Sequence, residues 1–333
     1  MEKNILYPDY IKKFFIDNGY KYFKPFSIIN NQDTVFISAG IQPLLKSVRE
    51  NQILDCEKVY LPQPVIRTQY SESIEEGTSI AFTNVTTATF NNSEEEHLKM
   101  VKDWYNFLNE IGISKNNIST LSDVYETRWD DLDLIGKRTF HYYNNLEIGD
   151  TTFFSKIAKN GKSISVKTMS DLGFGLERLR WRATNKSYYD LYSKFDEIDL
   201  KVKAYLSALA LLAVNEVKPS NKNAGYRVRL FSKKLINIIE GRSLNVQELK
   251  YLEECIIYWK LWQEKDYDNK EIIINELTRN GNRFILDMLS EEGYKNLTGI
   301  NINISREEFN KRLRFSGVPE ERVKKLIRYK VLK

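Results

Sequence analysis

Two cysteines and two histidines are all that this chain of 333 residues carries of the side chains most used for disulfides and soft metals. Cys56 and Cys255 lie far apart with no Cys-x-x-Cys spacing, which excludes a disulfide scaffold and a Cys-rich metal site. His97 and His141 alone leave a zinc hydrolase short of ligands, so no metal site is expected. Long hydrophobic runs are missing as well. The longest apolar stretch, near Ala204–Val214, falls short of the roughly 20 residues that cross a bilayer. Met1-Glu2-Lys3-Asn4 leads straight into polar and aromatic sequence with no signal-peptide core, so the expected location is cytoplasmic and no membrane partner is expected. Low-complexity linkers and internal repeats are also lacking.

What is present is ordinary globular composition, 42% hydrophobic and 29% charged, with aromatics at 13%. At roughly 150 residues per domain, the length predicts two domains. The charge divides along the chain. Residues 201–333 hold 26 Lys and Arg against 17 Asp and Glu, and the preceding 200 hold 24 against 28. A mildly acidic half followed by a basic one fits a chemistry domain joined to a polyanion-binding domain, and equally fits basic helices that are merely solvated.

Pattern gives a first helix with Pro8 early, Ile11, Phe14 and Phe15 on one face and Gly19 as its stop. Short β-rich runs follow at Thr34–Ser38, Val59–Leu61, Val65–Thr68 and Ile80–Phe82. A helix is expected over about Ser93–Ile111, with Ser93 as N-cap and acidic residues in its first turn. A second β-rich stretch spans Thr139–Val166, including Glu147–Phe154 and, past it, Ser163–Thr168. Strands grouped around helices without regular alternation predict an α+β fold with a mostly antiparallel sheet. From about Glu197 the chain reads as helices: Leu200–Val214 apolar on nearly every face, Tyr226–Glu240 basic and amphipathic, then Val246–Trp262 and Lys270–Arg279. The basic run Arg322–Lys333 follows. The expected division is 1–195 and 196–333.

The sharpest chemistry lies in Ser170-Asp171-Leu172-Gly173-Phe174-Gly175-Leu176-Glu177-Arg178-Leu179. Alternating glycine and apolar residues describe a strand whose backbone a planar ligand can approach. Glu-Arg opening the next helix would place a guanidinium over that ligand, and guanidinium groups stack on aromatic planes and pair with phosphate. This string resembles motif 3 of class II aminoacyl-tRNA synthetases, with its leading Asp closest to the alanyl-tRNA synthetase branch. Pro64-Val65-Ile66-Arg67, Ala81-Phe82 and Ala88-Thr89-Phe90-Asn91 are similar to that family's motif 2. Phe14–Gly19 and Asp33–Ile41 resemble its motif 1 region, and Leu146–Phe153 its amino-acid pocket strand. In the second half, Pro219-Ser220-Asn221 with Gly225-Tyr226-Arg227-Val228-Arg229 resembles the segment whose Asn reads the acceptor-stem wobble pair of alanine tRNA. Gly317–Val323 resembles the segment that supplies its acidic partner.

The resemblance implies a class II synthetase-like sheet flanked by helices, followed by an all-helical tRNA acceptor-stem-binding domain. It implies ATP and Mg²⁺ as cofactors, a small amino acid as substrate and a tRNA as partner. Arg67 and Arg178 would be catalytic. Arg67, Phe82, Gly173, Gly175, Glu177 and Arg178 would bind the nucleotide, and Asp171, Asp150, Thr152 and Trp129 the amino acid. Asn221, Arg227, Arg229, Lys233 and Glu321 would meet tRNA. Each has a plainer alternative. Arg67 could be an ion-paired strand residue, Asp171 a turn cap, Asn221 a helix-start residue, Glu321 a helix N-terminus and Trp129 core packing. His97 reads as solvated and His141 as structural.

Departures from the family pattern matter too. The loop Thr68–Thr78 carries Tyr70 and Glu72 where a basic, glycine-containing loop is expected, and Thr83 stands where the family places Glu. Asp150 and Thr152 make the pocket strand more polar, which would move specificity from alanine toward a small polar or amine-bearing amino acid. The Trp129–His141 interval is short, the editing domain's metal pattern is absent, and without the family's dimerising region a monomer is expected. Three functions stay open: an editing-free synthetase, the same activation serving a specialised biosynthetic pathway, and a non-catalytic tRNA-binding paralogue.

Overall fold

The computed structural model describes residues 8–30, 34–50, 58–69, 74, 78–129, 131–184, 195–267 and 269–327. It separates into two compact units, Met1–Thr68 with Ala81–Ser193 and Leu261–Glu264, and Gln69–Ile80 with Lys194–Lys260 and Lys265–Lys333.

The first unit is built on an eight-stranded sheet: β1 (Lys21–Tyr22), β2 (Val59–Ile66), β3 (Ala81–Phe90), β4 (Ile118–Trp129), β5 (Leu132–Tyr143), β6 (Leu146–Lys159), β7 (Lys162–Ser163) and β8 (Met169–Gly175). The strand order is β1-β2-β3-β8-β6-β5-β4, with β7 paired to β6. Among the described strands only the β1–β2 pair is parallel. An antiparallel-dominated sheet with flanking helices is the arrangement that the resemblance implies.

Three helices, α1 (Pro8–Asp17), α2 (Gln42–Arg49) and α3 (Glu94–Glu110), complete this unit together with α4 (Leu176–Thr184). In α1, Ile11, Phe14 and Phe15 are the buried face. Ser93 caps α3 in a reciprocal capping box with Glu96, satisfying two end amides and placing Glu94–Glu96 in the positive first turn. Behind the sheet, Phe15 stacks on Tyr60, and Trp104 and Phe107 of α3 pack on Phe174. In front, Ile41, Leu44, Leu45 and Val48 join Leu61, Ala88, Phe90, Phe154 and Met169 in a second apolar cluster.

Several sequence expectations are corrected. Val59–Leu61 and Val65–Thr68 are one strand through Pro62 and Pro64, ending at Ile66. Tyr60 and Ile66, which share their parity, bond away from β3, to Phe23 and Ile37. The two prolines therefore turn their missing N–H groups to the side where β1 does not extend, and no ladder bond is lost. Thr34–Ser38 makes only an isolated bridge, Phe36 to Ile29. Ser163–Thr168 is not a strand beyond Ser163, and β4 has no counterpart in the sequence reading because it is exposed along most of its length.

The described elements of the second unit are helical: α5 (Leu200–Val214), α6 (Asn223–Ile238), α7 (Val246–Gln263), α8 (Lys270–Glu291), α9 (Arg306–Phe315) and α10 (Glu320–Ile327). Thirteen residues of α5, Val202 to Val214, are buried, as its all-round apolar sequence requires. α8 runs a further 12 residues past Arg279. Residues 328–333 of the basic terminal run, and Cys56, lie outside the described residues.

Candidate active site

One face of the sheet collects most of the residues singled out above. Strand alternation and register put Asp171, Gly173 and Gly175 of β8, Asp150 and Thr152 of β6, and Phe82, Asn84 and Thr86 of β3 on that face. From Asp171, opposite Ala88, to Phe82 is six residues of β3, roughly 20 Å at the usual strand rise. The carboxylates occupy one end of this strip and Phe82 the other, with Arg67 just past the end of β2.

At the Phe82 end, the Arg67 guanidinium stacks over the Phe82 ring at 4.9 Å and its Nε donates to the Ser38 carbonyl at 2.8 Å. Both contacts fix the plane of the guanidinium. Gly175 lies beside the same ring, where a Cβ would approach it to 3.5 Å. Glu177 is buried, and both of its oxygens accept from the Thr83 amide, at 2.9 and 3.0 Å. This carboxylate ties α4 to β3. The Arg178 Nη1 reaches the Glu147 carbonyl at 3.4 Å and the Glu147 carboxylate at 4.0 Å.

At the other end stands a pair of carboxyl groups. Asp171 faces Thr152 across β8–β6, and Asp150 faces Gly173, so the two are diagonal neighbours, ~7 Å apart in ordinary sheet geometry. The Asp171 Oδ1 is buried and has no hydrogen-bond partner among the described residues. Burial first, then the charge of Asp150, holds the Asp171 carboxyl well above the usual carboxylate range. Asp150 is pushed up to about 6, by burial first and by Glu147, against the pull of Arg138 and Arg67. Gly173 sits between the walls of the slot. A Cβ there would lie 3.7 Å from the Asn84 amide nitrogen and 4.0 Å from Asp150 Oδ1.

Sequence reasoning missed four contributors. Arg138 of β5, opposite Thr152, lies between the rings of Tyr125 and Phe140 at 4.1 and 4.3 Å, and Asp123 holds it at 2.7 and 3.2 Å. Asn84 and Thr86 line the slot. The Gly40 amide donates to Asn84 Oδ1 at 2.6 Å, so closely over Thr86 that any Cβ at Gly40 would collide with its hydroxyl. Alternation through Phe82, Asn84 and Thr86 was a readable signal. The approach of Gly40 and of Arg138 depends on pairings between strands and loops far apart in sequence.

Trp129 is not with this group. It pairs with Leu132 at the far hairpin, nine residues along β6 from Asp150, and packs against the front apolar cluster. His97 is buried and not solvated: its Nδ1 is 3.0 Å from the Ser170 hydroxyl, which also accepts from Asn92. His141 is a structural residue between Tyr105 and Thr151, and burial drives its pKa down to about 4. Most of the loop Thr68–Thr78, including Tyr70 and Glu72, lies outside the described residues.

In the helical unit, Gly225 admits the turn Lys218–Ser220 against the start of α6, since a Cβ there would strike the Lys218 carbonyl and the Ser220 hydroxyl. That turn presents Asn221, whose side-chain oxygen accepts from Arg229 one helical face along. Arg227 lies over the Tyr226 ring at 5.8 Å, and Lys233 and Glu321 are exposed. Asn221 and Arg229 are brought together.

No family model matches the chain, and no curated protein does. Among solved structures it is similar to a pyrrolysyl tRNA synthetase, PylSc, of Desulfitobacterium hafniense, at a TM-score of 0.37 and 14% identity, over 54% of this chain and 66% of that one. At that identity and TM-score the likeness carries no inference about what this chain does. No helix among the described residues is long and apolar enough to cross a membrane.

Proposed function

We propose that this chain activates a small amino acid with ATP as an aminoacyl adenylate and transfers it to the 3′ end of a tRNA. The observation that carries the reading is the convergence of Arg67 and Asp171, 104 positions apart, on one sheet face, with Phe82, Gly173 and Gly175 along the strip that joins them. Asp171, with its orphaned buried oxygen, is suited to an α-ammonium group, which supplies both the charge and the hydrogen bond that it lacks. So held, the amino acid's own carboxylate is already ionised near neutral pH and attacks without a general base.

Arg67, oriented by Phe82 and Ser38, would stabilise the negative charge that grows on the α-phosphate. Phe82, Gly173, Gly175 and Arg178 would cradle the nucleotide. Glu177 would act by holding β3 in place, since its oxygens are both engaged by Thr83. Mg²⁺ would enter with the nucleotide, held chiefly by phosphate oxygens, and neutralise the pyrophosphate leaving group. Among the described residues no group of three or more His, Cys, Asp or Glu could hold a metal ion without it. Asn221, Arg227, Arg229, Lys233 and Glu321 would meet the acceptor stem, with an alanine-type tRNA as the first candidate, and the chain would act as a monomer.

A second reading has one observation in its favour. Arg178 is already engaged by Glu147, as it would be in a tRNA-binding paralogue that has given up ATP. Charging assays separate the two. Unfractionated tRNA, ATP and labelled amino acids should give an acid-precipitable, base-labile product that requires Arg67. Tight tRNA binding with no such product from any amino acid would favour the paralogue.

A further inference from the structure

Two carboxyl groups face the slot where the proposed reading needs one. Asp171 suffices to hold an α-ammonium group. Asp150 stands diagonal to it, with its Oδ1 4.0 Å from the point that a Cβ on Gly173 would fill. Two cations act on it: Arg138 is committed to Asp123 by two hydrogen bonds and lies over two aromatic rings, and Arg67 is held by the Ser38 carbonyl and the Phe82 ring. Glu147 on the same strand adds negative charge and is itself engaged by Arg178. An amino acid with an apolar side chain would leave Asp150 dehydrated and unpaired once bound, which is the costly arrangement for a buried charge.

We infer that the substrate carries a second, short primary amine on its side chain, as in 2,3-diaminopropionate or 2,4-diaminobutyrate, and that Asp150 is the residue that selects it. The inference rests on the amino-acid reading of this site. The size limit is read from Gly173, whose Cβ position lies 3.7 Å from the Asn84 amide nitrogen and 4.0 Å from Asp150 Oδ1. The walls of the slot are Asn84 on one side and Asp150 on the other, and its floor exists because Gly173 has no side chain. Thr152, buried opposite Asp171, adds a hydroxyl that a second ammonium can meet. A dication with its two nitrogens separated by two or three carbon atoms matches a carboxyl pair on diagonal sheet positions, whereas alanine offers one charge to two.

Calorimetric titration of the full chain at pH 7.5, without ATP or tRNA, tests this with 2,3-diaminopropionate, 2,4-diaminobutyrate, serine and alanine. A diamino acid should bind on the order of 100-fold more tightly than alanine, as expected where a site is built to pair a polar group. Asp150→Asn should bring that preference within about threefold, by weakening the diamino acids and relieving the penalty on alanine, and Asp171→Asn should weaken all four ligands. Gly173→Ala, which introduces only ordinary contacts, should exclude the longer side chain while the protein stays folded. Alanine or serine binding as tightly as the diamino acids, or a preference that survives Asp150→Asn, would overturn the inference. Binding of none of the four would overturn the amino-acid reading and this inference with it. Diamino-acid binding without adenylation would sink only the activation chemistry.

Discussion

Asp150 and Asp171 stand diagonally on neighbouring strands of one sheet face, and each is held above its ordinary pKa by burial first, with the charge of Asp150 adding to the shift at Asp171. A fold that keeps such a pair is less stable than it would be without it, and ligand binding is the natural compensation.

The first prediction follows from the sign of that shift. Asp150 has a folded-state pKa of about 6 against an ordinary 3.8, so the folded state holds more protons between those values and stability falls as pH rises through about 6. Asp150→Asn should therefore stabilise the unliganded protein at pH 7 by about 1–3 kcal/mol. The gain should shrink toward pH 4, where the unmodified carboxyl is protonated in the folded state and partly protonated in the unfolded one. Denaturant unfolding at the two pH values checks this, and a destabilised variant at pH 7 would contradict it.

His141 acts in the opposite direction. Burial lowers its pKa from 6.5 to about 4, so the unfolded chain takes up a proton first and stability falls as pH drops through that window. In an Asp150→Asn background, which removes the opposing carboxyl, acid unfolding should be steeper between pH 6.5 and 4 than in the parent. His141→Gln in that background should flatten it again.

Glu177 holds a buried backbone amide with both oxygens. Glu177→Ala should destabilise the protein by about 2–3 kcal/mol, because the Thr83 amide is left dehydrated and unpaired. The loss should appear in unfolding measurements without ATP. A variant of parental stability that fails only in nucleotide binding would show that this carboxylate serves the ligand directly.

Part of this organisation was legible in the sequence. The capped start of α3, the buried face of α1 and the strand-to-helix step at Gly175–Leu176 follow from local spacing alone. Other parts depend on what a residue meets across the sheet. Pro62 and Pro64 read as breaks, and only the absence of a partner beyond β1 makes them tolerable in a single strand. β4 lacks the apolar alternation of a half-buried strand, with Leu121 and Val124 exposed, so nothing in its sequence marked it. His97 sits among acidic neighbours that look solvated, and the groups it meets, Ser170 and Phe153, are far from it in sequence. Arg138 enters the site through strand register, which a single sequence does not encode.

The nucleic-acid reading makes its own prediction. Lys233 is exposed on α6, the helix that also carries Arg227 and Arg229. Lys233→Ala should weaken tRNA binding and reduce the slope of log affinity against log salt by about 0.7–1. Filter binding across a salt series measures it, and an unchanged slope would remove Lys233 from the phosphate-contacting face.

The central claim is that this sheet face joins an amino acid to AMP. ATP–pyrophosphate exchange with a panel that includes the diamino acids, run beside Arg67→Ala, addresses it most directly. The account predicts exchange with one small amino acid and a loss of at least about 100-fold in the variant, the usual cost of removing a transition-state charge partner. Exchange that survives Arg67→Ala, or none with any amino acid in the presence of tRNA, would contradict it.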